Sequence, residues 1–272
     1  MYRKIFTFLF LFASLNIAQS IKVIKTEKLI SGDMERLFFP KFSPNGSYIA
    51  LTKSNFKSLW LYNIQNKELK KINDKHGSGF DVVFNDETTQ IKFSIDEFKN
   101  KKKYHIAKVY DISKDFEVDD SLVASIPNNA VGSKSSILIS SSGESKILEP
   151  FGEGHYIWVS ISPNKDKILF TFAGKGTFIC DLEGRVLVNL GFANSPKWSP
   201  NGKYVAFMND KDDGLNYISS DIYVVSEDGQ NKINITNTVN EIEMYPEWSF
   251  DGRKIVYHNL SGEIFIAELE IQ

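Results

Sequence analysis

The chain has 272 residues, of which 42% are hydrophobic and 24% charged, as in soluble globular proteins with one large or two small domains. Its formal net charge of −2 gives no chain-wide basic field, so we expect no nucleic-acid partner. Twenty-one Phe and eleven Tyr favour β-strands, because aromatic rings pack well on a pleated surface. Since Cys180 is the only cysteine, an intramolecular disulfide is excluded.

Residues 1–20 have the pattern of a secretory signal peptide. A basic pair and an apolar run from Ile5 to Leu15 precede Ala18 to Ser20, a small-x-small cleavage sequence. The apolar run is shorter than the roughly 20 residues that span a bilayer, which favours cleavage over an uncleaved anchor. We therefore expect a mature chain that starts at Ile21, has no transmembrane segment and is periplasmic or secreted.

A repeated motif organises residues 21–272. In each copy an alternating stretch leads into Ser-Pro-Asn-Gly or a variant of it, and an apolar run follows. The alternation predicts a strand, Asn-Gly a tight turn, and the apolar run the returning strand. Third and fourth strands complete the unit, as in Asp221 to Val225 and Lys232 to Thr236. The copies lie at residues 39–51, 81–93, 158–170, 195–207 and 245–257.

The spacing of the copies predicts an all-β fold, a six-bladed β-propeller of four-stranded antiparallel blades. Ser43 and Ser249 are 206 residues apart, and five intervals of about 41 residues match the length of a propeller blade. The last unit has room for three strands, so we expect the strand Ile21 to Ile30 to become its outer strand and close the ring. An open β-sandwich would explain the strands but not the repeat. The weakest blade is predicted from Leu122 to Ile126, Ser136 to Ser140 and Lys146 to Leu148.

The best-preserved copy resembles a known family. Residues 196–207, Pro-Lys-Trp-Ser-Pro-Asn-Gly-Lys-Tyr-Val-Ala-Phe, are followed by Asp-Ile-Tyr-Val-Val and Asp228-Gly229. This pattern resembles the TolB-type (WD40-like) propeller repeat, which also occurs in the propellers of prolyl oligopeptidases. The resemblance covers residues 21–272 and is weak in blades two and three. It implies a TolB-like propeller and suggests protein contacts in the cell envelope.

No catalytic or metal motif accompanies the repeat. Gly-x-Ser-x-Gly, His-Glu-x-x-His and cysteine clusters are absent from the sequence. Asp210 to Gly214 lacks the ligand spacing of a calcium loop and is interpreted as a solvated acidic hairpin. Lys99 to Lys103 is interpreted as a basic hairpin tip in blade two. We expect no catalytic residue, no metal and no cofactor, although a ring could bring together the distant His76, His105, His155 and His258.

Binding residues are predicted on the loops that enter the inner strands, because these loops surround one mouth of the central channel. Their mixture of charges and aromatic rings suits a peptide, a protein segment or a glycan. Trp198 and Trp248 are assigned to packing between blades instead, since their position recurs within the repeat. The candidate binding residues are Arg36, Phe39, Asp81, His155, Tyr156, Asn194, Glu243 and Tyr245.

The favoured hypothesis is an exported, non-catalytic binding or scaffold propeller that acts as a monomer on a protein or peptide partner in the cell envelope. One alternative is a propeller-only enzyme, a polysaccharide lyase or hydrolase with its site at the channel mouth. Another is a propeller that binds a small molecule or a glycan. Converging His and carboxylate side chains at the mouth would favour the enzyme, whereas an aromatic rim would favour binding.

Overall fold

A computed structural model describes residues 21–33, 35–118, 130–133, 135–141 and 144–271. In these residues 23 β-strands form six antiparallel sheets, and a short 3-10 helix spans Ser54–Phe56. Blade 1 consists of β2 (Phe38–Phe42), β3 (Tyr48–Thr52), β4 (Lys57–Asn63) and β5 (Leu69–His76). Blade 2 consists of β6 (Val83–Phe84), β7 (Gln90–Lys99), β8 (Lys102–Asp111) and β9 (Phe116–Val118). Blade 3 consists of β10 (Ala130–Gly132), β11 (Ile137–Ser141) and β12 (Glu144–Leu148).

The other three blades are four-stranded, and the predicted six-bladed propeller is confirmed. Blade 4 consists of β13 (Tyr156–Ile161), β14 (Lys167–Phe172), β15 (Gly176–Asp181) and β16 (Val186–Gly191). Blade 5 consists of β17 (Asn194–Trp198), β18 (Tyr204–Asp212), β19 (Tyr217–Ser226) and β20 (Lys232–Asn234). Blade 6 consists of β21 (Glu243–Trp248), β22 (Lys254–Asn259), β23 (Ile264–Ile271) and β1 (Ile21–Ile30).

The ring is closed as the sequence predicts. Strand β1 pairs antiparallel with β23, from Ile21 opposite Ile271 to Ile30 opposite Ile264. Both end residues of β1 are buried, Ile21 between blades 5 and 6 and Ile30 between blades 6 and 1. The added strand therefore covers the edge of β23 that would otherwise be open.

The serine of the motif ties the two inner strands of a blade together. The Ser199 hydroxyl donates to Asn201 Oδ1 at 2.7 Å and accepts the Tyr204 backbone N–H at 2.9 Å. The same pair of bonds occurs in blades 1 and 6. In blade 2, Asn85 replaces the serine, and its Oδ1 accepts the N–H groups of Thr89 and Gln90. This conserved geometry explains why the motif is recognisable in the sequence.

Hydrophobic clusters join neighbouring blades. Five clusters fill the interfaces between blades 5 and 6, 6 and 1, 1 and 2, 3 and 4, and 4 and 5. Within the described ranges no such cluster joins blades 2 and 3, and the predicted strand Leu122 to Ile126 lies outside those ranges. Trp248 lies in the cluster between blades 5 and 6, and Trp198 packs against the one between blades 4 and 5, in the packing role assigned to both.

The strand order separates two faces of the ring. In each four-stranded blade the loop into the inner strand and the hairpin between the second and third strands lie at the same end. We call this end the mouth face, and the end with the motif turns the opposite face. The Gly79 N–H, in the loop that enters blade 2, bonds to the Phe56 carbonyl, in the hairpin loop of blade 1, at 3.3 Å. This contact places both kinds of loop on one surface.

Candidate functional site

One backbone feature recurs at the start of the inner strands. The residue four positions before the motif serine, or its Asn85 counterpart, has a positive φ between 48° and 53° in five blades. In four of these blades the pairing with the next strand shifts at this residue, which makes it a β-bulge. None of the five is glycine, so each holds strain of the kind that often marks functional sites. The five residues are Phe39, Asp81, Trp158, Ser195 and Tyr245.

Four of these five residues, all except Trp158, line a cavity of about 260 Å³ on the mouth face. Its wall runs through blades 5, 6, 1 and 2. Phe39, Asp81, Ser195 and Tyr245 contribute from the positive-φ position. The second residue after that position also lines the cavity in three blades, as Lys41, Lys197 and Glu247.

The cavity wall carries two lysines in different electrostatic settings. Lys197 Nζ lies 2.9 Å from Glu247 Oε2, and this carboxylate raises the pKa of Lys197. Lys41 Nζ donates a 2.6 Å hydrogen bond to the Val82 carbonyl, and burial lowers the pKa of Lys41. The Lys41 amine thus bonds to a neutral carbonyl, whereas the Lys197 amine pairs with a carboxylate. Lys41 can therefore still bind an acidic group of a ligand.

Four aromatic rings form a continuous row along one side of the cavity, which we call the aromatic row. Tyr245 contacts Phe39 with ring centroids 4.6 Å apart, Phe39 contacts Phe56 at 4.8 Å, and Phe56 contacts Phe80 at 5.1 Å. The row crosses from blade 6 to blade 2. Phe80, at its end, is 56% exposed, so the row offers an apolar surface to a partner.

The ring of His258 packs against this row. Its ring stacks on Tyr245 with centroids 5.4 Å apart and meets Phe38 and Phe39 edge-on. Nδ1 lies 3.0 Å from the Asn259 carbonyl, and Nε2 has no hydrogen-bond partner among the described residues. Burial lowers the pKa of His258 to about 4, so the ring is neutral at pH 7.

Of the eight predicted binding residues, the structure brings Phe39, Asp81 and Tyr245 together at the cavity. Asn194 lies beside it, where its Nδ2 donates a 2.7 Å hydrogen bond to Asp210 Oδ1. Glu243 is only 3% exposed, and its Oε1 accepts a 2.8 Å bond from Thr238 Oγ1. Desolvation raises the pKa of Glu243, but its burial keeps the carboxyl away from a ligand in the cavity.

The remaining three predicted residues lie apart from the cavity. Arg36 is exposed beside Gly262, in the loop that enters blade 1. His155 is exposed in the loop that enters blade 4. The Tyr156 ring is buried against Phe172, and its hydroxyl donates to the Gly152 carbonyl at 2.9 Å. Tyr156 therefore stabilises the core between blades 3 and 4.

Sequence reasoning missed several wall residues. Lys41, Lys197 and Glu247 share an offset of two residues before the motif serine, so comparing that offset across copies could have found them. Phe56 and Phe80 lie in loops outside the repeat, and no sequence signal marks them.

In the described ranges, no group of three or more His, Cys, Asp or Glu residues is placed to hold a metal ion. No helix in those ranges is long and apolar enough to cross a membrane.

Comparisons with known proteins agree on the fold. The β-propeller domain of Cps50 (Swd1) from Myceliophteria thermophila matches with 11% identity and a TM-score of 0.57, over 92% of this chain and 99% of that domain. The chain has a β-propeller fold. A chain of the mitotic checkpoint complex matches with 9% identity and a TM-score of 0.51, over 91% of this chain and 94% of that one.

A third similar structure is TolB from Acinetobacter baumannii, with 14% identity and a TM-score of 0.35, over 87% of this chain and 56% of TolB. No family model matches the chain, and no curated protein matches it. The first two structural matches confirm the propeller that the repeat predicts.

Proposed function

We propose that this propeller is a non-catalytic binding module whose mouth face holds a segment of a protein partner. The observation that carries the proposal is a cavity that four strained, non-glycine residues with positive φ help to line and that is also walled by aromatic rings and by Lys41. Aromatic side chains with a few placed charges are typical of peptide and protein interfaces. One of the similar chains is part of a protein assembly, the mitotic checkpoint complex. Binding to another protein is the kind of role that we propose for this chain.

The proposal of a non-catalytic role rests on the arrangement of the acids near the mouth. A general acid or base must reach its substrate. Asp81 and Glu247 are the two acids among the described residues that line the cavity, and Glu247 is held in an ion pair with Lys197, so Asp81 has no second free carboxylate beside it. Glu243, whose pKa is raised, is buried. The alternative of a propeller-only lyase or hydrolase would gain support if purified protein cleaved glycans or peptides.

We also propose that the protein is exported to the cell envelope and works there as a monomer. The signal-like pattern of residues 1–20 supports export. Cleavage before Ile21 would leave all ten described residues of the closing strand β1 in the mature chain. Cell fractionation followed by N-terminal sequencing tests this part, and a cytoplasmic chain that retains Met1 would contradict it.

Selection from a random linear-peptide library tests the binding role. Peptides selected on residues 21–272 should bind Phe80→Ala about tenfold more weakly, as for a hot-spot side chain. Phe250→Ala is the matched control, because Phe250 is 70% exposed on the opposite face. Equal affinity for both variants would place binding away from the mouth and refute the proposal.

A further inference from the structure

The two longest hairpins of the mouth face carry opposite charges. Strands β7 and β8 of blade 2 pair from Gln90 opposite Asp111 up to Lys99 opposite Lys102. Strands β18 and β19 of blade 5 pair up to Asp212 opposite Tyr217. The first tip holds Lys99, Lys101, Lys102 and Lys103, and the second holds Asp210, Asp212 and Asp213 with one lysine, Lys211. Because blades 2 and 5 are three blades apart in a ring of six, the two tips lie on opposite sides of the mouth.

Most of these charges have no opposite charge to pair with. Lys103 forms an ion pair with Asp96 at 2.9 Å, but within the described part of the chain no ion pair involves Lys99, Lys101 or Lys102. At the acidic tip, Asp212 and Asp213 accept backbone N–H groups of their own turn, and no ion pair involves either of them among the described residues. Both tips are therefore free to pair with charges on another molecule.

The aromatic row connects the two tips. At the acidic end, Tyr217 lies opposite Asp212 in the hairpin, and Tyr217 and Tyr245 both pack against the hydrophobic cluster between blades 5 and 6. At the other end, the turn that holds Phe80 begins at Gly77, where an added Cβ would lie 2.9 Å from Asp96, three residues before Lys99 in the basic hairpin. The rings thus form an apolar path that ends at an acidic hairpin on one side and a basic hairpin on the other.

Apolar side chains at both tips extend this path. Leu215, in the acidic turn, is 92% exposed, and Phe98, next to the basic tip, is 71% exposed. The exposure of these two side chains does not stabilise the free protein, because the hydrophobic effect favours the removal of apolar surface from water. Each would be covered by a chain that runs from tip to tip.

Resting on the proposed function, we infer that the mouth face selects an extended partner segment of a defined charge order: acidic residues over blade 2, apolar residues along the aromatic row, and basic residues over blade 5. The path from Tyr245 to Phe80 is at most about 15 Å, which an extended chain spans with about five residues at 3.3 Å each. The expected segment therefore has about five residues, mainly apolar, between its two charged stretches.

Synthetic probe peptides test this inference by fluorescence anisotropy. The probe is Glu-Glu-Glu-Leu-Phe-Gly-Leu-Phe-Lys-Lys-Lys with a fluorophore, and its two controls have the same centre with Glu at both ends or Lys at both ends. The mixed probe should bind about three- to tenfold more tightly than either control, as expected for a few exposed charge pairs. This advantage should disappear near 1 M salt, where charges are screened within about 3 Å.

Charge-neutralising variants identify which tip contacts which end. Lys99→Gln/Lys102→Gln should weaken the mixed and all-Glu probes about three- to tenfold but should not weaken the all-Lys probe, whose repulsion by the basic tip it removes. Asp212→Asn/Asp213→Asn, which keeps the turn acceptors, should weaken the mixed and all-Lys probes instead. Lys165→Gln/Lys203→Gln is the matched control, because it removes two charges from motif turns on the opposite face.

Two results would overturn the inference without deciding the proposed function. If the affinity of the probes depends on Phe80 but not on either charged tip, the mouth binds segments without selecting the order of their charges. If no probe binds below 1 mM, the dipolar segment is the wrong ligand class, and peptides from the library selection would still test the mouth. Circular dichroism and thermal melts of each variant confirm that a lost affinity does not reflect unfolding.

Discussion

Acid should destabilise the propeller through one buried histidine. His258 is 2% exposed and its pKa is lowered from 6.5 to about 4, first by desolvation. The unfolded chain, with an ordinary histidine pKa, binds this proton near pH 6.5, whereas the folded chain resists it until about pH 4. Between these values the unfolded state holds more protons, so stability falls as the pH falls.

The size of the effect follows from the shift in pKa. A shift from 6.5 to about 4 corresponds to about 3 kcal/mol at full extent, since one pKa unit is worth about 1.4 kcal/mol. At pH 4.5 most of it, roughly 2–3 kcal/mol, should already be lost relative to pH 7.5. The direction is opposite for Glu243, whose raised pKa stabilises the fold as the pH falls.

Urea denaturation at pH 7.5 and pH 4.5 measures this loss. The variant His258→Asn has no ionisable ring and keeps a donor near the position of Nδ1, so its free energy of unfolding should vary less with pH by roughly 2–3 kcal/mol. His155→Asn, at an exposed position, should retain the wild-type dependence. Carboxyl groups titrate equally in all three proteins and cancel in the comparison. An unchanged pH dependence in His258→Asn would show that His258 does not cause the loss of stability in acid.

Three further outcomes are expected. Cys180, whose pKa burial raises to about 12, should react with a thiol reagent only after denaturation, and rapid labelling of the folded protein would contradict its burial. Ile30→Ala should cost about 2–4 kcal/mol by calorimetry, whereas Ile24→Ala, 58% exposed on the same strand, should stay within about 0.5 kcal/mol; similar losses would argue against closure by β1. Gly79→Ala should both destabilise the fold and weaken peptide binding, because a Cβ there would lie 1.9 Å from Thr52 Oγ1 beside the cavity, and unaltered stability and affinity would disprove this contact.

The ring and its closure were predictable because local chemistry repeats. Ser43 and Ser199 make the same turn bonds, so the repeat is visible in the sequence as well as in space. The length of the last unit also showed that a strand was missing, and Ile21 to Ile30 was the strand that no other unit used. Where Asn85 replaces serine the motif fades, although the structural role persists.

The site was predicted only in part, because loop position says little about where a side chain lies. Phe39 and Tyr156 are both aromatic residues close to an inner strand, yet one lines the cavity and the other fills the core. What separates them is the bulge four residues before the motif serine, where φ is positive. Residue type does not reveal this conformation, since Phe, Tyr and Ser rarely adopt it.

Site-specific photocrosslinking in cells tests the central claim, that a protein partner binds at the mouth face. A photoreactive phenylalanine analogue replaces Phe80 at the mouth or Phe250 on the opposite face, both of which are exposed. We expect a discrete crosslinked protein for position 80, lost when Lys99, Lys102, Asp212 and Asp213 are neutralised together, and none for position 250. Crosslinking at position 250 alone, or equally at both positions, would contradict the central claim.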